Sequence, residues 1–219
     1  MVRNVCLAGL ALIYCLAGTL SVAGQVEGNG ALMPVPAAYS PTSVRFSLTD
    51  GFRAAVSGPC DPRLYAEATR FIRRLSERTG IFLDKQGFVG PGNSAPLLIK
   101  VLRPAKLVLH EDESYELKVG SDRVVISAPT DIGAIRGLET LLQLLSADST
   151  GYYFQGAVIR DSPRFAWRGL LLDVALHFMP VEEIKRTLDG MAAVKMNVLH
   201  LHLCNDQGFR VESKVFPRL

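Results

Sequence analysis

Residues 168–210 read RGLLLDVALHFMPVEEIKRTLDGMAAVKMNVLHLHLCNDQGFR, and this stretch decides the fold. Residues 169–175 form an apolar run that predicts a strand, Pro180 opens an amphipathic helix, and residues 196–203 predict a second strand. Two strands joined by a helix within about 35 residues form a parallel βαβ unit. Polar residues follow both strands, at the ends where β/α barrels build their active sites. The stretch therefore predicts the opening of a β/α barrel.

Alternation along the second strand predicts which side chains face the barrel interior. Leucines occupy one side, which suits a covering helix layer, so His200 and His202 face the other way, into the barrel. The same argument turns Asp173 of the first strand inward. Barrel interiors are normally apolar and buried charge needs partners, so we interpret these residues as a polar network that supports an active site. Two alternatives are a satisfied core histidine pair and a metal site built on His200-x-His202.

The residues before this stretch predict a separate α/β unit over 43–161, preceded by a linker over 24–42. It carries no nucleotide-binding loop and no catalytic Ser or Cys in a recognisable setting, so we interpret it as an accessory domain. Its predicted elements are a hairpin around residues 49–51, a helix from Pro62 to about Arg78, a buried strand at 97–102, a hairpin around 120–122, a helix from Asp131 to about Leu145 and a strand at 152–159.

The N-terminus predicts export. Arg3 precedes an almost unbroken apolar run over residues 5–20, and Ser21-Val22-Ala23 fits the small-x-small pattern of a cleavage site. We therefore predict a signal sequence over residues 1–23 and a periplasmic or secreted protein that is not attached to a membrane after cleavage. An uncleaved anchor helix is the alternative, but the apolar run is short for a span of about 20 residues.

Composition bounds the remaining classes of partner. The net charge of +3 and the scattered basic residues predict no nucleic-acid partner, and the arginine cluster at positions 70, 73, 74 and 78 is interpreted as the solvated face of a helix. Two cysteines, Cys60 and Cys204, remain after the predicted cleavage, and we expect both to be free thiols. No cofactor and no metal are predicted.

Four segments then carry a family resemblance: RGLLLD, HFMPVEEIKRTLDGMA, KMNVLHLHL and DQGFR. Residues 161–219 resemble the opening of the catalytic barrel of family-20 glycoside hydrolases, the β-N-acetylhexosaminidases. The preceding unit resembles the accessory domain of that family. The resemblance implies an α/β chain in which an α+β accessory domain is followed, over residues 162–219, by the first βαβ unit of an incomplete TIM (β/α)8 barrel.

The family's chemistry is what the resemblance implies for this chain. It is the removal of terminal N-acetylhexosamine from glycans by substrate-assisted retention, in which the 2-acetamido oxygen of the substrate attacks the anomeric carbon. In the family a glutamate acts as general acid and then as general base, and a neighbouring aspartate orients and stabilises the acetamido group. We expect this Asp-Glu pair beyond residue 219, so no residue here receives a catalytic role. The residues assigned to substrate binding or support are Asp173, His177, His200, His202 and Asp206.

Two positions depart from the family pattern. Leu176 stands where the family usually has a sugar-binding arginine, and Asn205 stands where it usually has the aspartate of an Asp-His dyad. Leu176 cannot donate a hydrogen bond, and Asn205 keeps the shape of aspartate without its charge. These departures support the alternative that the protein is a non-catalytic relative, either glycan-binding or a gene remnant.

Overall fold

The computed structural model describes residues 32–83, 88–89, 95–206 and 208–216. The signal sequence predicted over residues 1–23 lies outside these ranges, as does the predicted linker up to residue 31. No helix within the described ranges is both long and apolar enough to cross a membrane.

The described residues form two parts, named here the α/β unit (residues 32–161) and the barrel segment (residues 162–216). The α/β unit contains β1 (Ala38–Ser47), β2 (Ala54–Ser57), α1 (Pro62–Thr79), β3 (Phe88–Val89), β4 (Leu97–Arg103), β5 (Tyr115–Val119), β6 (Val124–Thr130), α2 (Asp131–Gln143), β7 (Leu145–Asp148) and β8 (Gly151–Asp161). The barrel segment contains β9 (Gly169–Asp173), α3 (Val181–Ala193), β10 (Val198–His202), β11 (Cys204–Asn205) and β12 (Gly208–Phe209).

A mixed sheet organises the α/β unit. Its strands follow the order β1-β8-β5-β6-β4-β2-β3, and β7 pairs with β8. The strands β3, β2, β4 and β6 are parallel neighbours, whereas β5, β8 and β1 are added antiparallel. Helices α1 and α2 pack against each other and share with the sheet one apolar core that extends from Leu32 to Ile159.

The first helix is confirmed at both ends. Asp61 accepts a hydrogen bond from the backbone N–H of Arg63 at 3.1 Å, and Pro62 occupies the first helical position, where no donor is needed. Gly80 ends the helix in the left-handed conformation, with φ at 70°, and its N–H donates to the Ser76 carbonyl at 2.9 Å. The predicted apolar stripe is buried: Leu64, Ala68, Phe71, Ile72 and Leu75.

The second predicted hairpin and the second helix are also confirmed. Strands β5 and β6 are antiparallel, with Val119 opposite Val124. The hydroxyl of Thr130 caps α2 by accepting from the N–H of Gly133 at 3.1 Å, and the helix ends at Gln143.

The first predicted hairpin is wrong. A turn does form, since the N–H of Phe52 donates to the Thr49 carbonyl at 3.1 Å, but the strands on either side of it do not pair. Strand β1 pairs with β8, and β2 pairs with β4 on the far side of the sheet. The reason is burial, because Ala54, Ala55 and Val56 are each at most 1% exposed. Burial on both faces is typical of an interior parallel strand, whereas a hairpin strand usually has one solvent-exposed face.

Three further details differ from the predictions. Strand β1 begins at Ala38, inside the range predicted as a linker, because it has a long antiparallel partner in β8. Helix α2 was predicted to run to about Leu145, but it ends at Gln143, and Leu145 begins β7, which pairs with β8. The arginine cluster of α1 is not simply a solvated face, since Arg74 pairs with Glu139 of α2 at 2.5 Å and Arg70 pairs with Asp189 of α3.

The barrel segment contains the predicted parallel βαβ unit. Strands β9 and β10 pair in parallel, with Gly169 opposite Val198 and Asp173 opposite His202, and α3 connects them. Among the residues of α3, Met191 is buried, and Leu188 of the predicted apolar stripe is 43% exposed. Strands β11 and β12 form a small antiparallel pair directly after β10.

Candidate functional site

The candidate site lies at the carboxyl ends of β9 and β10. Asp173 is the last residue of β9 and His202 the last of β10, and the two are register partners. The parallel register places both side chains on the same face, and His202 Nδ1 lies 3.4 Å from Asp173 Oδ2. Both side chains are partly exposed, at 41% for His202 and 26% for Asp173, so a ligand in solution can reach them.

Asp173 also shapes the loop that follows β9. Its Oδ1 atom accepts hydrogen bonds from the backbone N–H groups of Ala175 at 3.0 Å and Leu176 at 2.9 Å. One oxygen therefore holds the turn while the other faces His202. The carboxylate both presents residue 176 to solvent and supplies an acceptor at the strand edge.

His202 is oriented through its second ring nitrogen. Nε2 lies 2.7 Å from the carbonyl oxygen of Cys204, and a hydrogen on Nε2 would donate to that carbonyl. A second hydrogen on Nδ1 would face the Asp173 carboxylate. The ring is thus positioned between a backbone acceptor and a carboxylate, an arrangement suited to binding polar groups of a ligand.

The other predicted residues are not gathered into this contact. His200 lies two residues before His202, on the same face of β10, and is exposed. His177 is exposed in the loop after β9. Asp206 is exposed after β11, and its backbone N–H donates to the side-chain oxygen of Asn205 at 2.8 Å. The structure therefore brings together Asp173 and His202 and leaves His177, His200 and Asp206 at the surface around them.

Leu176 and Asn205, the two positions read from the sequence as departures from the family pattern, lie on the segments that follow β9 and β10. Leu176 is 73% exposed in the loop after β9, where an apolar side chain offers no hydrogen bond. Asn205 lies in β11, opposite Gly208 of β12. A Cβ on Gly208 would collide with the carbonyl oxygen of Ala175, so the glycine lets the two strand-end loops approach each other.

Arg210 was not singled out by the sequence reasoning, although it belongs to the DQGFR segment. Its Nε donates to the Val174 carbonyl at 3.0 Å, and its guanidinium carbon lies 5.4 Å from the centre of the Phe178 ring. Its own N–H donates to the Leu203 carbonyl at 2.9 Å. Arg210 therefore ties the loop after β9 to the loop after β10.

The site residues do not form a metal-binding cluster. Within the part of the chain that the structure describes, no three His, Cys, Asp or Glu side chains lie close enough together to hold a metal ion. Cys60, which is partly buried, and Cys204, which is exposed, are free thiols.

A cavity of about 690 Å³ lies at the opposite ends of the same strands. Its charged lining includes Glu113, Arg136, Asp161, Arg168 and Lys195. These charges are engaged with one another, and barrel chemistry takes place at the carboxyl ends of strands. We therefore place the candidate site at Asp173 and His202 rather than in this cavity.

Comparison with known families identifies two segments. Residues 165–219 match the model for the catalytic domain of glycosyl hydrolase family 20, and residues 90–144 match a family described as beta-acetyl hexosaminidase like. The resemblance read from the RGLLLD to DQGFR segments is thereby confirmed.

Curated relatives carry the same description. The chain is 36% identical to the beta-hexosaminidase subunit beta of Felis catus over 228 aligned residues, which cover 96% of this chain and 42% of the relative. It is 47% identical to the corresponding Mus musculus subunit over 112 residues, covering 51% of this chain and 21% of the relative. The chain therefore spans less than half the length of these relatives.

Solved structures agree with the mixed α/β fold. The chitobiase of Flavobacterium johnsoniae superposes with a TM-score of 0.81 and 48% identity, over 85% of this chain and 29% of that one. The N-acetyl-beta-hexosaminidase of Streptomyces plicatus superposes with a TM-score of 0.67 and 34% identity, over 86% of this chain and 37% of that one. The predicted class, an α/β chain that includes the start of a TIM barrel, is confirmed.

Proposed function

We propose that this chain, whose residues 165–219 belong to the catalytic domain of glycosyl hydrolase family 20, is part of an exported β-N-acetylhexosaminidase-like glycosidase. The observation that carries the proposal is the contact of Asp173 with His202 at the carboxyl edge of a parallel strand pair. Export is supported by the apolar run over residues 5–20 and the Ser21-Val22-Ala23 pattern that follows it.

The proposed substrate is a glycan with a terminal N-acetylhexosamine. In substrate-assisted retention the 2-acetamido oxygen of the sugar forms the bond to the anomeric carbon as the glycosidic bond breaks, so the protein supplies no nucleophile. This chain supplies part of the wall of the site. Asp173 offers a carboxylate acceptor and His202 an oriented imidazole, and both suit sugar hydroxyl and acetamido groups. The general acid and base is the glutamate that the family resemblance implies, and no described residue of this chain is assigned that role.

A second candidate is a non-catalytic glycan-binding relative, and Leu176 and Asn205 favour it. An arginine at position 176 would supply charge-assisted hydrogen bonds worth about 1.5–3 kcal/mol each. An aspartate at position 205 would restore a charge that orients a histidine, a role whose loss costs about 10⁴ in rate in a serine protease. Both residues lie on the loops that Asp173 and Arg210 hold in place.

Enzyme assays with a chromogenic N-acetylglucosaminide as substrate separate the two candidates. We expect turnover above a buffer blank from a protein that carries residues 1–219 together with the family's acid–base glutamate, and no such turnover from a glycan-binding relative. We expect Leu176→Arg to raise kcat/KM by about 10²–10⁴, because a bidentate guanidinium gains two charge-assisted hydrogen bonds of about 1.5–3 kcal/mol each. The double variant Leu176→Arg with Asn205→Asp should raise it further.

Leu176→Lys is the matched control, because it adds the charge without the planar guanidinium fork. A smaller gain for lysine than for arginine supports a hydroxyl-binding role for position 176. No turnover by the wild-type product or by the double variant would contradict the glycosidase proposal. In that case, binding of N-acetylglucosamine without hydrolysis would support the glycan-binding candidate. Binding is measured by the change in the chemical shifts of the His202 ring.

A further inference from the structure

The starts of β9 and β10 are joined to each other before either strand begins. Arg168 directly precedes β9, and Asn197 directly precedes β10. The side-chain oxygen of Asn197 accepts from the Arg168 N–H at 2.9 Å, and the Asn197 N–H donates to the Arg168 carbonyl at 2.9 Å. These two hydrogen bonds hold Arg168 opposite Asn197. The residues directly before β9 and β10 are called here the lead-ins of the two strands.

Glu113 of the α/β unit contacts both lead-ins with one carboxylate. Its Oε2 atom accepts from Nη2 of Arg168 at 2.6 Å, and its Oε1 atom accepts from Nδ2 of Asn197 at 3.3 Å. Each oxygen therefore serves a different strand. The residue precedes β5 by two positions and belongs to neither strand of the barrel segment.

The Glu113 carboxylate is itself held from the α/β unit. Nε of Arg136, on α2, donates to Oε2 at 2.7 Å, and the Glu113 side chain is only 9% exposed. Burial raises the pKa of Glu113, but the hydrogen bonds and charges of Arg168 and Arg136 outweigh it, so the pKa lies below its ordinary value. The carboxylate is therefore ionised at neutral pH, and its bonds are charge-assisted.

Arg168 also connects Glu113 to the residues that follow α3. Its Nε donates to the Lys195 carbonyl at 2.9 Å, and its Nη1 donates to the Phe165 carbonyl at 2.7 Å. Lys195 has a left-handed backbone, with φ at 60°, a conformation that is unfavourable for a residue other than glycine. Its buried ammonium group donates to Asp161 at 2.9 Å and to the Tyr115 hydroxyl at 2.8 Å, so both the carbonyl and the side chain of Lys195 are held in place.

We infer that Glu113 is a positioning residue for the site at the other end of these strands. By fixing Arg168 and Asn197 together, it sets the register that places Asp173 opposite His202, five residues further along each strand and about 16 Å away. A slip of one residue would turn one of these side chains to the opposite face. The inference rests on the proposed function only for the use of that pair in binding sugar.

The test is amide hydrogen exchange in the full 219-residue chain. We expect Glu113→Gln to accelerate exchange of the β9 and β10 amides by about tenfold to a hundredfold, because charge-assisted bonds at both strand starts are weakened. Exchange in β5 and β6 should stay within about twofold, since their ladder lies in the main core. The ring resonances of His202 should shift in the same variant, because its contact with Asp173 is loosened.

Glu116→Gln is the matched control. Glu116 lies three residues away, in β5, and also pairs with two basic residues, Lys118 and Arg160, but at the surface. It should leave β9, β10 and the His202 resonances unchanged. If Glu113→Gln does not fold, Asn197→Asp keeps the side-chain oxygen that accepts from the Arg168 N–H but removes the Nδ2 bonds to Glu113 Oε1 and to the Ala166 carbonyl, and it should accelerate exchange in β10. Asn197→Ala removes all three bonds and should accelerate it more.

Two outcomes would overturn the inference. One is β9 and β10 exchange that is unchanged in Glu113→Gln and in Asn197→Ala. The other is uniform acceleration across β5, β6, β9 and β10 with unshifted His202 resonances, which marks a purely structural residue. Hydrogen exchange does not require catalysis, so an inactive protein can still satisfy this test, and the failure of the proposed function is detected separately by the glycoside assay.

Discussion

The α/β unit and the barrel segment are held in place by different forces. Every buried side chain of the main apolar core lies between Leu32 and Ile159, within the α/β unit. In the described part of the barrel segment, the buried apolar residues are Val174, Ala175 and Met191. The first region is stabilised by its own core, as a unit of this size can be. The second is joined to the first mainly through buried polar side chains.

The exposed surface of the barrel segment shows the consequence. Large apolar side chains that a monomer normally covers are open to solvent, including Leu170, Leu171, Leu201 and Phe209. In contrast, Lys195 is only 6% exposed although it is charged. The polar contacts at Glu113 and Asp161 therefore fix the orientation of this segment, while its apolar faces contribute little within the described residues.

The largest expected effect tests the core of the α/β unit. Phe154 is fully buried and packs near the rings of Phe46 and Phe52. Phe154→Ala should lower the free energy of unfolding by about 3–5 kcal/mol, because it removes buried apolar area and leaves a cavity. The measurement is urea unfolding followed by circular dichroism. Leu171→Ala, at a site that is 53% exposed, should change the free energy of unfolding by less than about 1 kcal/mol. Equal losses in the two variants would contradict the view that only the α/β unit is stabilised by an apolar core.

The next effect tests the polar attachment. Asp161→Asn removes the charge that partners Lys195, and those side chains are 12% and 8% exposed. Leaving a buried ammonium without its partner costs about 3–5 kcal/mol, and we expect the lower part of that range because the asparagine oxygen can still accept one hydrogen bond. The measurement is urea unfolding followed by the fluorescence of Trp167, the single tryptophan, which lies in the barrel segment. The transition should move to a lower urea concentration.

The control for this variant is Asp148→Asn, which weakens a pair with Arg45 whose side chains are 32% and 50% exposed. Exposed pairs contribute about 0–1 kcal/mol, so the Trp167 transition should barely move. A shift as large as that of Asp161→Asn would show that burial does not set the strength of the attachment.

The smallest effect is an acid sensitivity confined to the attachment. Burial raises the pKa of both Glu113 and Asp161, but Arg168 and Arg136 for the first, and Lys195 for the second, lower each pKa below its ordinary value of 4.5 or 3.8. A carboxyl group with a depressed pKa stabilises the folded state above its ordinary value and loses that contribution as pH falls through the folded pKa. The Trp167 transition should therefore weaken progressively below about pH 4.5.

The double variant Glu113→Gln with Asp161→Asn should flatten this pH dependence, because neither side chain then titrates. A pH dependence that persists unchanged in the double variant would place the responsible carboxylates elsewhere. The effect is smaller than that of Asp161→Asn, because a protonated carboxyl group still donates and accepts hydrogen bonds.

Much of the local structure could be predicted because its causes are local. Asp61, Pro62 and Gly80 mark the ends of α1, and the Gly120 turn predicts the β5–β6 hairpin. The placement of Asp173 and His202 on one face also follows from strand alternation. The first hairpin was wrong for the opposite reason, since the partner of β2 is β4, which lies beyond a whole helix. The roles of Arg210 and Glu113 could not be predicted, because their hydrogen-bond partners lie on other elements.

The sequence by itself therefore determined the helices, the parallel βαβ unit and the resemblance to family-20 glycoside hydrolases, from which the departures at positions 176 and 205 were inferred. These follow from periodicity, capping residues and motifs, which are read within a few residues of one another. Only the tertiary structure decided that β1 crosses to β8, and that Glu113 joins the lead-ins of two strands from 55 residues before Arg168. The physical reason is that strand pairing and buried ion pairs depend on which distant groups share a site, and no local pattern records that choice.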